Sequence, residues 1–218
     1  MNIALVGSSS LLSRCLIKDL SSEYITTYGR QNADIIFDAE NIETEIIESL
    51  FDLDYDVYVF NLGYLQPKRI KDQSSSNIIK SLSINALFTI KSCEYIFDNN
   101  PKARIFIIGS ESGKKGSFDT SYFLAKSMLR SYTKERKLSF EDQQLLLVSP
   151  STIEDGKMTS SRSDTETLET YKQIHPKRRF LDSSEVSQLL FDLIKNPSTY
   201  LCNTEIELNG GKFSRMSY

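Results

Sequence analysis

The chain has 218 residues, 39% of them hydrophobic and 25% charged, with 26 Lys and Arg against 29 Asp and Glu for a net charge of −3. This composition excludes a disordered or collagen-like chain, and the lack of a basic surplus argues against a nucleic-acid partner. No apolar run reaches the ~18–20 residues of a membrane span. One His and three widely spaced cysteines (Cys15, Cys93, Cys202) offer no metal-ligand spacing and no disulfide framework, which fits reduced thiols in the cytoplasm.

The opening MNIALVGSSS reads as a first strand over 2–6 rather than as a basic leader. A helical pattern follows over 10–20, carried by Leu11, Leu12, Cys15, Leu16 and Leu20. Further strand candidates are ITTY (25–28), DIIF (34–37), VYVF (57–60), ARIFIIG (103–109), QLLLVS (144–149) and TEIEL (204–208). Helical stretches lie at about 41–51, 76–97, 119–135 and 183–195, and Asp182 with Glu185 has the spacing of a capping box. Alternating strands and helices predict a parallel sheet covered on both faces. VYVF and IFII read as fully buried strands because polar residues do not alternate within them. Residues 1–218 therefore read as a single doubly wound α/β domain of about seven mostly parallel strands, with helices on both faces.

Two stretches interrupt the pattern. Residues 64–76 are polar and read as a loop. Residues 153–178 follow the end of a strand, where open α/β sheets bind ligands. They read either as a substrate lid or as a solvated excursion. Thr159, Ser160, Ser161 and Thr165 in this stretch favour a hydroxylated substrate. His175, a lone loop histidine, is expected to face solvent and has no assigned role.

Several residues offer chemistry. Gly7, followed by Ser8, Ser9 and Ser10, forms a small-residue turn between strand and helix, suited to phosphate or to plain chain reversal. Tyr122 and Lys126 lie one helical turn apart, so an ammonium stands near a phenol and would lower its pKa. Ser110 ends a strand and can hold a substrate oxygen. Asn85 is a polar residue in an apolar helical run, either functional or a satisfied core amide.

Order and spacing together resemble the short-chain dehydrogenase/reductase family over nearly the whole chain. VGSSSLLSR (6–14) stands where the family has its glycine-rich turn, FDAEN (37–41) where it has an acidic residue, and NLG (61–63) where it has NAG. INALFTI (84–90), IIGSESG (107–113), YFLAK (122–126), SPST (149–152) and TEIELNGG (204–211) follow in the family's order. The resemblance implies a Rossmann-type fold and a catalytic tetrad of Asn85, Ser110, Tyr122 and Lys126. Tyr122 would be the acid/base, Ser110 would hold the substrate oxygen, and Lys126 would lower the Tyr122 pKa and bind a ribose. Asn85 would place a water. It further implies a nicotinamide cofactor along Gly7, Ser9, Ser10, Leu12, Arg30, Asp38, Asn61, Leu62, Gly63, Pro150 and Thr152, with Tyr122 and Lys126 shared, and no metal.

The chain departs from the family pattern at Leu11 and Ser13 in the turn, at Leu62, and at Ser151. The helix after the second strand is nearly absent. The acidic residue that binds the NAD ribose is missing between Tyr24 and Ala33, and Arg30 suits the 2′-phosphate of NADP. NADP is therefore expected, with NAD possible, together with a small carbonyl or alcohol substrate. The family implies a homodimer or homotetramer pairing through the helices at 76–97 and 119–135. The departures at Leu11 and Ser13 keep a second reading open, a catalytically inactive relative acting as a binding or regulatory protein.

Overall fold

A computed structural model describes residues 1–160, 165–198 and 200–214. Seven strands form one sheet in the order β3-β2-β1-β4-β5-β6-β7, and every neighbouring pair is parallel. They are β1 (Asn2–Val6), β2 (Tyr24–Gly29), β3 (Ile35–Ile36), β4 (Val57–Phe60), β5 (Arg104–Ile108), β6 (Gln144–Pro150) and β7 (Thr204–Leu208). The helices are α1 (Leu11–Asp19), α2 (Thr44–Leu50), α3 (Ser75–Leu82), α4 (Phe88–Asn99), α5 (Ser112–Lys115), α6 (Thr120–Glu135), α7 (Lys157–Ser160), α8 (Thr165–Ile174) and α9 (Ser183–Lys195). The Rossmann-type α/β architecture expected from the sequence is present.

Successive residues of a strand point to opposite faces. In β4, Val57 and Val59 join one core with α1 and α9, through Leu12, Leu16, Val186, Leu190 and Ile194. Tyr58 and Phe60 join the other, with Phe88, Phe97, Ala125 and Leu129 of α4 and α6. Both faces are dry, so the central strands carry no polar alternation. Each fully buried Leu, Ile, Val or Phe contributes about 1.5–3 kcal/mol. The capping box at Asp182 and Glu185 is formed.

Several boundaries differ from expectation. The 76–97 helix is present and runs without interruption from Ser75 to Asn99, with a π-helical turn Ser83–Leu87 between α3 and α4. The DIIF strand shrinks to β3 because Asp34 folds back, its carboxylate accepting from the Thr27 amide (2.9 Å) and hydroxyl (2.7 Å). Residues 153–178 hold two short helices, α7 and α8, neither with a buried residue, and Ser161 lies outside the described residues. His175 is only 6% exposed, contrary to expectation. Its Nδ1 accepts from the Lys177 amide (3.1 Å), and its ring packs where a side chain on Gly210 would stand. Among the described residues no helix is long and apolar enough to cross a membrane, and no cluster of three or more His, Cys, Asp or Glu could hold a metal.

Candidate active site

The turn after β1 is set by Gly7. Its φ of +92° lies in the region that side chains rarely adopt, and a Cβ there would stand 2.2 Å from the Asn61 carbonyl oxygen. The turn also carries a web of hydroxyls. Ser10 caps α1 by accepting from the Ser13 amide (3.0 Å), and the Ser13 hydroxyl donates to the Gly7 carbonyl (2.8 Å). Asn61 Nδ2 donates to both hydroxyls at 2.8 Å. Ser13, read from sequence as a lost glycine, is fully buried and ties helix to strand by hydrogen bonds. Leu12 is also buried, at 5% exposure, with its side chain in the α1–α9 core. As a cofactor residue Leu12 has only its backbone amide to offer, at the open start of the helix.

Ser8 Oγ is buried and has no hydrogen-bond partner among the described residues. It lies 3.1 Å from where a Cβ on Gly29 would stand, at the end of β2, and Arg30 follows there, exposed. Ser9 is exposed on the same turn. Asp38 is exposed, and its carboxylate accepts from the Glu40 amide (3.0 Å). Gly63, at the end of β4, lies under Met158 of α7, whose Cε would meet an added Cβ at 2.5 Å. An orphan hydroxyl, a glycine cradle, a helix N-terminus and an exposed guanidinium fit a nucleotide bearing phosphates.

Tyr122 sits in the first turn of α6, which Asp119 caps. Asp119 is 2% exposed and accepts from the Tyr122 amide (3.1 Å), the Ser121 hydroxyl (2.9 Å), Gln73 Nε2 (3.1 Å) and the Gln66 amide. Burial pushes the Tyr122 pKa up to about 12; a hydrogen bond with Ser110 opposes the rise and the Asp119 charge adds to it. Ser110 is half-buried at the end of β5, and its Oγ accepts from the Ser112 amide (3.1 Å). Lys126 is 2% exposed. Its Nζ donates to the carbonyls of Ile108 (2.9 Å) and Leu62 (3.1 Å) and lies 5.8 Å from the centre of the Tyr122 ring. Desolvation brings the Lys126 pKa down to about 7. The expected lowering of the Tyr122 pKa by Lys126 is therefore absent. The ammonium is anchored on two carbonyls, and burial dominates both groups.

Asn85 lies in the π-helical turn, 1% exposed. Its Oδ1 accepts from the Tyr64 amide (2.7 Å), and its Nδ2 donates to the Tyr64 carbonyl (2.8 Å) and Ser81 Oγ (3.1 Å). The side chain thus clamps the segment that leaves β4. Pro150 accepts from the Glu111 amide (2.9 Å), and the Thr152 carbonyl accepts from the Leu181 amide (3.0 Å). The carboxyl ends of β1, β4, β5 and β6 thus gather the Gly7 turn, Asn61–Gly63, Ser110 and Pro150, and α6 brings Tyr122 and Lys126 beside them. Asp119 was missed from sequence, although an Asp just before a helical run is an N-cap signal.

Neither a family model nor a curated protein sequence matches the chain. Solved structures do match. A short-chain dehydrogenase family protein from Francisella tularensis superposes with a TM-score of 0.82 at 19% identity, over 97% of this chain and 98% of that one. The fold is that of the short-chain dehydrogenase/reductases. A second protein of this fold, a 3-oxoacyl (acyl-carrier-protein) reductase from Agrobacterium tumefaciens with NADP bound, superposes with a TM-score of 0.83 at 15% identity, over 96% and 93% of the two chains. An actinorhodin polyketide ketoreductase with NADPH, also of the short-chain dehydrogenase/reductase fold, gives 0.82 at 17% identity, over 96% of each.

Proposed function

We propose that the protein is an oxidoreductase of the short-chain dehydrogenase/reductase kind that interconverts a carbonyl and an alcohol. The observation that carries this reading is the buried Lys126 beside the Tyr122 ring, with Ser110 following β5, at the strand ends that also hold the Gly7 turn. A nicotinamide dinucleotide, bound along Gly7, Arg30, Asn61–Gly63 and Pro150, would supply the hydride. Ser110 holds the substrate oxygen against Tyr122. With its pKa near 12, Tyr122 keeps its proton at neutral pH and is ready to give it to a carbonyl oxygen, which favours reduction. Lys126 has two N–H donors on carbonyls and a third left for a ribose hydroxyl. Arg30 and the orphan Ser8 hydroxyl favour NADP over NAD, and the NADP-bound relatives of this fold support the same choice.

Titration with NADPH and NADH, read by the nicotinamide's own emission, tests the reading in a chain without Trp. NADPH is expected to bind more tightly. Tyr122→Phe is expected to keep that binding and to lose turnover by roughly 10²–10⁴-fold. Failure of both nucleotides to bind at millimolar concentration supports the second reading, a non-catalytic binding protein. The web of Ser10, Ser13 and Asn61 across the turn favours that alternative. We also propose a homodimer through α4 and α6. Between them runs an apolar groove lined by Leu82, Ile90, Leu124 and Met128, and Leu124 is 41% exposed. Sedimentation as a monomer alone at micromolar concentration would refute it.

A further inference from the structure

Glu111 follows Ser110 directly, is 5% exposed, and has no task in the chemistry above. Its carboxylate is held from two directions. Lys115 pairs with it one turn along, and Lys212, beyond β7, reaches its two oxygens at 3.1 and 3.4 Å. The Ser151 side chain, at the end of β6, also acts to keep the carboxylate ionised. The Glu111 amide meanwhile donates to the Pro150 carbonyl (2.9 Å). One residue therefore ties the turn carrying Ser110 to Pro150 through its backbone, and to the C-terminal segment through its side chain. Burial pushes the Glu111 pKa up, and Lys115, Ser151 and Lys212 more than offset this, so the group stays ionised at neutral pH.

The far side of the C-terminal segment is also fixed. Buried His175 stands against Gly210, and both Lys212 and Glu111 act on its charge. Ser151 occupies the position where the resembled family has glycine, and its side chain favours the ionised carboxylate beside Ser110. We propose that Glu111 is a positioning residue, which by holding the Pro150 carbonyl and clamping Lys212 locks the Ser110 turn onto the end of β6 and makes the C-terminal segment part of the active-site wall. The inference rests on the oxidoreductase reading.

The test uses Glu111→Gln, Lys212→Met and the double variant of the full chain. The readouts are NADPH affinity, kcat and KM with ethyl acetoacetate, and amide hydrogen exchange over residues 109–113. The expected result for each single variant is NADPH affinity within about threefold of wild type, kcat lowered by roughly 10–100-fold, and KM little changed. The double variant should be no worse than the poorer single one, because both break the same clamp. The Glu111 and Ser112 amides should exchange at least about tenfold faster. Unchanged kcat, or unchanged exchange if ethyl acetoacetate is not turned over, overturns the inference while normal NADPH binding leaves the oxidoreductase reading intact. Where Glu111→Gln does not fold, Lys212→Met decides alone by the same criteria. A wild type that binds no NADPH overturns both the reading and the positioning role.

Discussion

Lys126→Met is the most informative perturbation of the site, because it separates what this lysine costs the fold from what it does for a ligand. The native pKa of Lys126 falls from 10.5 to about 7 through desolvation. At ~1.4 kcal/mol per pH unit, the buried ammonium is disfavoured by about 5 kcal/mol relative to the same group in the unfolded chain. The hydrogen bonds to Leu62 and Ile108 are lost in the variant, at about 1 kcal/mol each. Near pH 6.5 the variant should therefore match or exceed the wild type, by up to about 3 kcal/mol. Between about pH 7 and 10.5 the unfolded wild type holds a proton that the native state has shed, so wild-type stability rises with pH across that window. By about pH 9 the wild type should gain about 2–3 kcal/mol on the variant. Urea unfolding of both proteins at the two pH values reads this directly, since other titrating groups cancel in the difference. A stability difference that does not change with pH, or a loss of ~3 kcal/mol in the variant near pH 6.5, would refute the reasoning.

Other perturbations have equally definite outcomes. Gly7→Ala forces a Cβ against the Asn61 carbonyl at positive φ, and should cost about 3–5 kcal/mol, a fall in Tm of roughly 6–20 °C by circular dichroism. Asp119→Ala strips the cap of α6 and leaves the Gln73 amide without its carboxylate partner; thermal unfolding should show a loss of about 2–3 kcal/mol. Arg30→Ala should weaken NADPH by about 10–100-fold and leave NADH within about twofold, measured by titration. Equal weakening of both nucleotides would remove the role given to the guanidinium.

Much of the fold was legible because both faces of the sheet are covered. VYVF at 57–60 could read only as a buried strand, and the structure places Val57 and Val59 in one core and Tyr58 and Phe60 in the other. What sequence could not carry depends on partners distant in the chain. The π turn within the 76–97 helix occurs where the Asn85 amide is drawn to the Tyr64 backbone, a contact that no local pattern announces. Lys126 was paired with Tyr122 on helical spacing and on the family resemblance, whereas its ammonium is engaged by the carbonyls of Leu62 and Ile108, on two other strands' ends. Ser13 read as a defect because a missing glycine is visible in sequence and a hydroxyl bridging Gly7 and Asn61 is not. His175 read as solvated because its cover, Gly210, lies far along the chain.

The strand order has a consequence for how the chain is made. Each strand after β1 pairs with one synthesised before it, and none inserts between two earlier strands. The sheet can therefore grow outward at its edges as the polypeptide leaves the ribosome, sparing the slow search that non-local parallel pairing imposes on a complete chain. One face cannot be finished this way. α1 packs on α9, and the Ser187 hydroxyl donates to Asp19 (2.5 Å) across 168 residues. Until α9 emerges, Leu16, Val57 and Val59 lack their cover. A nascent chain stopped short of residue 183 presents an open apolar face, the state in which such a protein most needs a chaperone.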